Sequence, residues 1–148
     1  MSRFEIINVA WDSPQAALLR VIREQVFIQE QCVPVALERE SHEDEMQAVH
    51  LLALDGFGNP IGTVRLLPSG QIGRMAVMAH WRKQGVGSAL LTKIVAIAQV
   101  RACSRIFLHA QAHAVSFYNK FGFTACSDVL EDAGIPHQEM FLNMIQTS

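Results

Sequence analysis

Residues 71–102, QIGRMAVMAHWRKQGVGSALLTKIVAIAQVRA, restrict the possible folds more than any other stretch of the chain. Gln71 to about Met78 reads as a strand. Arg82-Lys83-Gln84-Gly85-Val86-Gly87 reads as a glycine turn, and the spacing predicts a helix from Gly85 to about Ala102. Val86, Leu90, Ile94 and Ala98 fall in one row, thickened by Leu91 and Val95, so this helix is apolar around most of its circumference and must lie on a sheet. A β-rich run follows at Ile106–Gln111, and strand–helix–strand implies a parallel, right-handed crossover. The turn also suits an anion. A helix start has unpaired N–H groups and about half a positive charge, glycines admit a ligand to the backbone, and Arg82 and Lys83 stand on the rim. It is not a P-loop, because Ser88-Ala89 follows Gly87, and it lacks the third glycine of a dinucleotide fingerprint. A plain strand-to-helix turn and a seat for a phosphate-bearing ligand both remain open.

The rest of the chain supplies a sheet for that helix. Phe4–Val9 reads as a first strand, and Ser13-Pro14 as the N-cap and first position of a helix carrying Leu18, Ile22 and Val26 and ending near Gln31, before Pro34. His50–Leu54 and Ile61–Leu67 form a hairpin around the turn residues 55–60, and Pro68-Ser69-Gly70 leads into the strand at Gln71. A short helix is expected from His113 to Phe121, stopped by Gly122, and then strands at about Phe123–Val129 and Glu139–Ile145, joined by a loop from Glu131 to His137. The acidic run ERESHEDE (38–45) reads as a solvated loop or short helix, with an acidic lip for a cationic partner as its functional alternative.

Totals narrow the class. The 148 residues fit one domain, 1–148, and a charged fraction of 18% against 50% hydrophobic excludes a disordered chain. A net charge of −2 makes no case for nucleic acid or an anionic membrane. Cys32, Cys103 and Cys126 have no metal or disulfide spacing, so no metal is expected and a reducing, cytoplasmic setting is. No window approaches the ~18 uncharged apolar residues of a membrane span.

The motifs then combine. RMAV on the fourth strand, Arg82-x-x-Gly85-x-Gly87 at the helix start, and Ala114-x-x-Phe117-Tyr118-x-x-x-Gly122-Phe123 after the fifth strand resemble, in order and spacing, the GCN5-related N-acetyltransferase (GNAT) superfamily, which transfers acyl groups from acyl-coenzyme A, usually to an amine. The front half, Val26-Phe27-x-x-Glu30-Gln31-x-Val33-Pro34, Glu38-x-Glu40 and His50, with Leu108-His109-Ala110-Gln111 later, resembles its ElaA/YjcF-like bacterial subgroup. The resemblance implies an α+β, three-layer GNAT fold of order β-α-β-β-β-α-β-α-β-β, with a mixed central sheet of about seven strands.

It also implies a site. Acetyl-CoA would be the donor and an amine of a small molecule or peptide the acceptor, in a monomer or homodimer. Arg82, Lys83, Gln84, Gly85, Val86, Gly87 and Ser88 would hold the pyrophosphate, and Met75, Ala76 and Val77 would lie beside the pantetheine arm, with the Val77 N–H as oxyanion donor. Phe117 would border the cofactor. Tyr118 stands at the family's general-acid position, and Gln111 replaces a commoner asparagine. The acceptor side draws on Glu30, Gln31, Glu38, Glu40, His109 and His137. Among these the base stays open, a water chain included. A non-catalytic acyl-CoA-binding module is the alternative on the same fold.

Overall fold

The computed structural model describes residues 3–33, 42–132 and 134–144. Strands β1 (Phe4–Val9), β2 (Val49–Asp55), β3 (Pro60–Leu66) and β4 (Ile72–Val77) form one antiparallel sheet in chain order. A second sheet has β8 (Ile135–Asn143) at its centre, with β5 (Arg105–Gln111) on one edge and the short β6 (Thr124–Ala125) and β7 (Leu130–Asp132) on the other. Among the described residues the expected sheet of about seven strands therefore has eight, in two halves.

Helix α1 (Ala16–Arg23) packs on one face of the first sheet through Ala16, Leu19 and Ile22, which meet Val9, Leu52 and Ala76. It runs on as a π-helical segment, Glu24–Glu30, and so ends where the spacing predicts. Its start differs from expectation. Ser13 is not the N-cap: its Oγ donates back to the Ala10 carbonyl at 2.7 Å, and successive i→i+3 bonds from Ala16, Ala17 and Leu18 delay the helix. Helix α2 (His42–Gln47) falls in the acidic run. Helix α3 (Val86–Val100) covers the opposite face of the sheet, with the predicted row Val86, Leu90, Ile94 and Ala98 buried against Leu51, Ile61 and Val64. A 3₁₀ turn (Ala112–Ala114) leads into the short α4 (Val115–Asn119), and Gly122 follows at φ +92°.

The join between the two sheets positions the site. Gln71 bridges Phe107 in parallel and the Phe107 N–H bonds the Gly70 carbonyl at 3.1 Å, which bears out the parallel direction of the expected crossover. The backbones are so close here that a Cβ on Gly70 would stand 2.7 Å from the Arg105 carbonyl oxygen. Past this point the strands part. Thr63 pairs with Ala76 but Arg65 with Gly73, so Val64 faces two residues, Arg74 and Met75, and Arg74 takes φ +50°. Such a bulge bends and twists its strand, and here it carries the end of β4 away from β5.

The last strands depart most from the sequence reading. The residues from Glu131 to His137 are not a loop but the close of β7, a turn at Gly134 (φ +77°) and the start of β8. The Glu139–Ile145 strand therefore begins four residues early, and Ile145 lies outside the described residues.

Candidate active site

Parting of β4 and β5 opens a cleft of about 970 Å³. It is lined by β4 from Gln71 to Val77, the far end of β5, the π-helical segment, and Phe117 and Tyr118 of α4, with His137 of β8 on the far side. π-Helical turns occur mostly as local features at functional sites. Here the widened turn, with Gln31 N–H bonded to the Val26 carbonyl at 3.0 Å, brings the buried Val26 and the more open Phe27, Glu30 and Gln31 to the cleft wall.

The peptide groups of β4 alternate between neighbours. Met78 N–H bonds the Ile61 carbonyl at 2.8 Å, which makes Ile61 and Met78 a hydrogen-bonded pair. Antiparallel alternation then turns the N–H and C=O of Val77 to the opposite edge, toward the cleft, and those of Ala76 to β3. Arg82 Nε reaches the Val77 carbonyl from that side at 3.0 Å.

The α3 start lies at the same corner. Gly85, its N-cap, has φ +87°, and a Cβ there would meet nothing within 4 Å, so conformation and not crowding calls for glycine. A Cβ on Gly87 would stand 3.7 Å from Phe117 Cζ and 3.8 Å from Val77 Cγ2, which puts turn, strand end and α4 together. No side chain caps α3, so its first N–H groups remain available to an anion. Ser88 and Lys83 are exposed beside it. Two turn side chains are already engaged. Arg82 makes a bidentate pair with Glu30 at 2.5 and 2.6 Å, and Gln84 accepts from Arg3 at 2.6 Å and donates to the His80 carbonyl at 3.0 Å. The Arg82 guanidinium thus ties the turn to the π-helical segment.

Tyr118 sits between Phe117 and Phe123 in edge-on ring contacts, and its hydroxyl reaches across to Met75 Sδ on β4 at 3.5 Å. Burial pushes its pKa up to about 12, so it keeps its proton throughout the neutral range. Gln111 does not extend alone toward the cofactor side. Its amide and that of Gln31 bond each other, Gln111 Nε2 to Gln31 Oε1 at 2.8 Å and the reverse at 3.3 Å, and form a clasp across the cleft.

The acceptor-side candidates separate. The hydrogen bonds of Arg82 outweigh the opposing effect of burial and, with the Arg82 charge added, hold the Glu30 carboxyl below the usual carboxylate range, which makes Glu30 a weak base. His109 lines the cleft and is exposed, on the face shared with Phe107 and Gln111. His137 stands opposite Gln111 in the β5–β8 register, not on a loop. Glu38 and Glu40 lie outside the described residues.

One feature under the cleft was not anticipated. Glu45, 2% exposed, takes Arg23 on one oxygen and Arg65 on the other, the latter at 2.9 Å. His50, fully buried, sets Nε2 at 2.8 Å from the Glu45 carbonyl, accepts from Arg23 at 3.4 Å, and stacks on Trp11. Arg65 forms part of the cleft floor. The sequence held a signal for this cluster in two arginines, one beside Ile22 on the apolar stripe of α1 and one inside IGTVRLL.

Comparisons with known proteins agree with this geometry. An acetyltransferase (GNAT) domain model matches residues 11–144. The uncharacterized N-acetyltransferase YjcF of Bacillus subtilis (strain 168) is 36% identical over 123 residues, covering 80% of this chain and 86% of YjcF. The crystal structure of Escherichia coli ElaA aligns with a TM-score of 0.81 at 27% identity, covering 93% of this chain and 98% of that one. That of an acyl-CoA N-acyltransferase from Pseudomonas aeruginosa aligns with a TM-score of 0.74, also at 27% identity, over 93% and 98% of the two chains.

Proposed function

Because the chain belongs to the GNAT acetyltransferase family, with YjcF and ElaA among its relatives, we propose that it moves the acetyl group of acetyl-CoA to an amine of a small molecule or peptide. The observation that carries this reading is convergence. The outward-facing edge of β4, the uncapped start of α3 and the Tyr118 hydroxyl all border one cleft.

The residues fit coenzyme A in both charge and shape. The first turn of α3 and the exposed Lys83 offer N–H donors and positive charge to a pyrophosphate. Arg82 contributes by fixing the turn to Glu30, and its backbone remains for the ligand. Met75 and Val77 would border an extended arm laid between β4 and β5. Acetyl-CoA supplies an activated thioester. The chain supplies orientation, the Val77 N–H for charge that develops on the carbonyl oxygen, and a proton at Tyr118 Oη. A donor of the first kind is typically worth ~3 kcal/mol in the transition state.

A thiol-release assay over a panel of amines, amino-acid amides and peptides, with mass spectrometry of the product, tests the reading. The expected result is free thiol that depends on both acetyl-CoA and one class of amine, with a product heavier by one acetyl group. Tight acetyl-CoA binding with no thiol release for any acceptor would instead make the protein an acyl-CoA-binding module.

A further inference from the structure

We infer that His137 is the general base that takes the acceptor ammonium's proton, through Nε2. The inference rests on the acyl-transfer reading above. His137 Nδ1 lies 2.8 Å from the Ile135 carbonyl oxygen, two residues back on the same strand. A carbonyl oxygen only accepts, so Nδ1 carries a hydrogen, and in the neutral ring Nε2 is left as the acceptor. The ring is half-buried, lines the cleft, and is the cross-strand neighbour of Gln111, whose amide clasp with Gln31 spans that cleft. Its tautomer and its position are therefore both fixed by the backbone of β8.

Other described candidates lack this arrangement. Both carboxylate oxygens of Glu30 hold Arg82. Glu45 is buried between two arginines. His50 has its Nε2 at the Glu45 carbonyl and its Nδ1 at Arg23. His109 sits two cross-strand pairs farther along, opposite Glu139. Ionisable groups around His137 include Arg105 and His109 on β5, His113 just past it, Glu139 on its own strand, Glu131 on β7, Glu30 of the π-helical segment, and Arg65, Arg74, Arg82 and Tyr118 along the same cleft.

The chemistry balances as follows. An alkylammonium gives one proton to Nε2, and imidazole becomes imidazolium. The freed amine lone pair forms the C–N bond at the thioester carbonyl, and the C–S bond breaks with its electron pair on sulfur. Tyr118 gives its proton to that sulfur and regains one from the acylated nitrogen. The imidazolium then releases its proton to solvent, so one ammonium and one thioester yield one amide, one thiol and one proton.

His137→Asn keeps an N–H donor near the Ile135 carbonyl and removes the ring Nε2 that would take the proton. With benzylamine, glycinamide and spermidine as acceptors, kcat/KM at pH 7 is expected to fall about 10²-fold, while acetyl-CoA affinity stays within about twofold. The loss should shrink as pH rises toward the acceptor's own pKa, about 8 for an α-amine such as glycinamide and about 10 for a simple alkylamine, where free amine needs no base. A fall below about threefold, or an equal fall at every pH, would overturn the assignment. A second measurement does not depend on turnover. ¹⁵N NMR of the wild-type imidazole should show the Nδ1–H tautomer, and an Nε2–H tautomer would overturn the proposal even if no acceptor were found. Wild-type protein that binds acetyl-CoA yet acetylates no amine, with the Nδ1–H tautomer present, would overturn the acyl-transfer reading and with it the base assignment built on it.

Discussion

Tyr118→Phe is expected to lower kcat about 10³-fold while acetyl-CoA affinity and thermal stability change little. The ring keeps its contacts with Phe117 and Phe123, and the hydroxyl's bond among the described residues is a long one to Met75 Sδ at 3.5 Å. Magnitudes define the role. A hydroxyl with a pKa of about 12 that protonates a thiolate of pKa about 8.5 works against roughly 3.5 units, or about 5 kcal/mol. That cost is offset only if the hydroxyl recovers a proton from the acylated nitrogen, which is a strong acid until it loses one. In the proposed reaction Tyr118 would therefore act as a relay and not a reservoir. Its high pKa also predicts that no limb of the rate profile below about pH 11 belongs to it. A kcat for Tyr118→Phe equal to wild type at every pH would mean the thiolate leaves unaided.

Glu45→Gln is the change expected to cost most stability, about 3–5 kcal/mol by chemical denaturation. The carboxylate is 2% exposed and lies between Arg23 and Arg65, and an amide of the same shape leaves those two charges together in the interior. Burial opposes ionisation of Glu45, but Arg23 and then Arg65 more than offset it, so its pKa lies below 4.5. For His50, burial comes first; the Glu45 carbonyl opposes it, the Arg23 charge assists it, and the net result is a pKa below 6.5. In both cases the unfolded chain takes up protons more readily on acidification, so stability falls as pH falls. The decline begins below about 6.5 through His50 and steepens below about 4.5 through Glu45. The variant should lose Glu45's share of the second step, leaving that of Glu30, and keep the first. Because Arg65 also floors the cleft, Glu45→Gln should weaken turnover in whatever protein remains folded.

What could be read from sequence followed local rules. The α3 row has a helical period, the glycine turn has a fixed spacing, and the Ala114-to-Phe123 block follows a β-rich run, so elements and cofactor corner were legible together. Features set by distant partners were not. Glu45 looks like its acidic neighbours, and only Arg23 and Arg65, 22 and 20 residues away, single it out. Gln31 and Gln111 are 80 residues apart. The β4 bulge gave no signal because Arg74, not glycine, takes the positive φ. Pro136 disguised the start of β8. Proline usually marks a strand's edge or a turn, yet Pro136 pairs with Glu131 inside the β7–β8 hairpin, and Gly134 makes the turn. That misreading put His137 on a loop, whereas a paired strand holds it.

The central claim is that the opening between β4 and β5 and the start of α3 together seat acyl-CoA. Titration of acetyl-CoA into ¹⁵N-labelled protein tests this most directly. Saturable shifts concentrated at the amides of Met75, Val77, Gly85, Gly87 and Ser88, with the Val77 N–H protected from exchange, are the predicted result. Absence of shifts in folded protein, or shifts that leave β4 and the α3 turn unmoved, would contradict it.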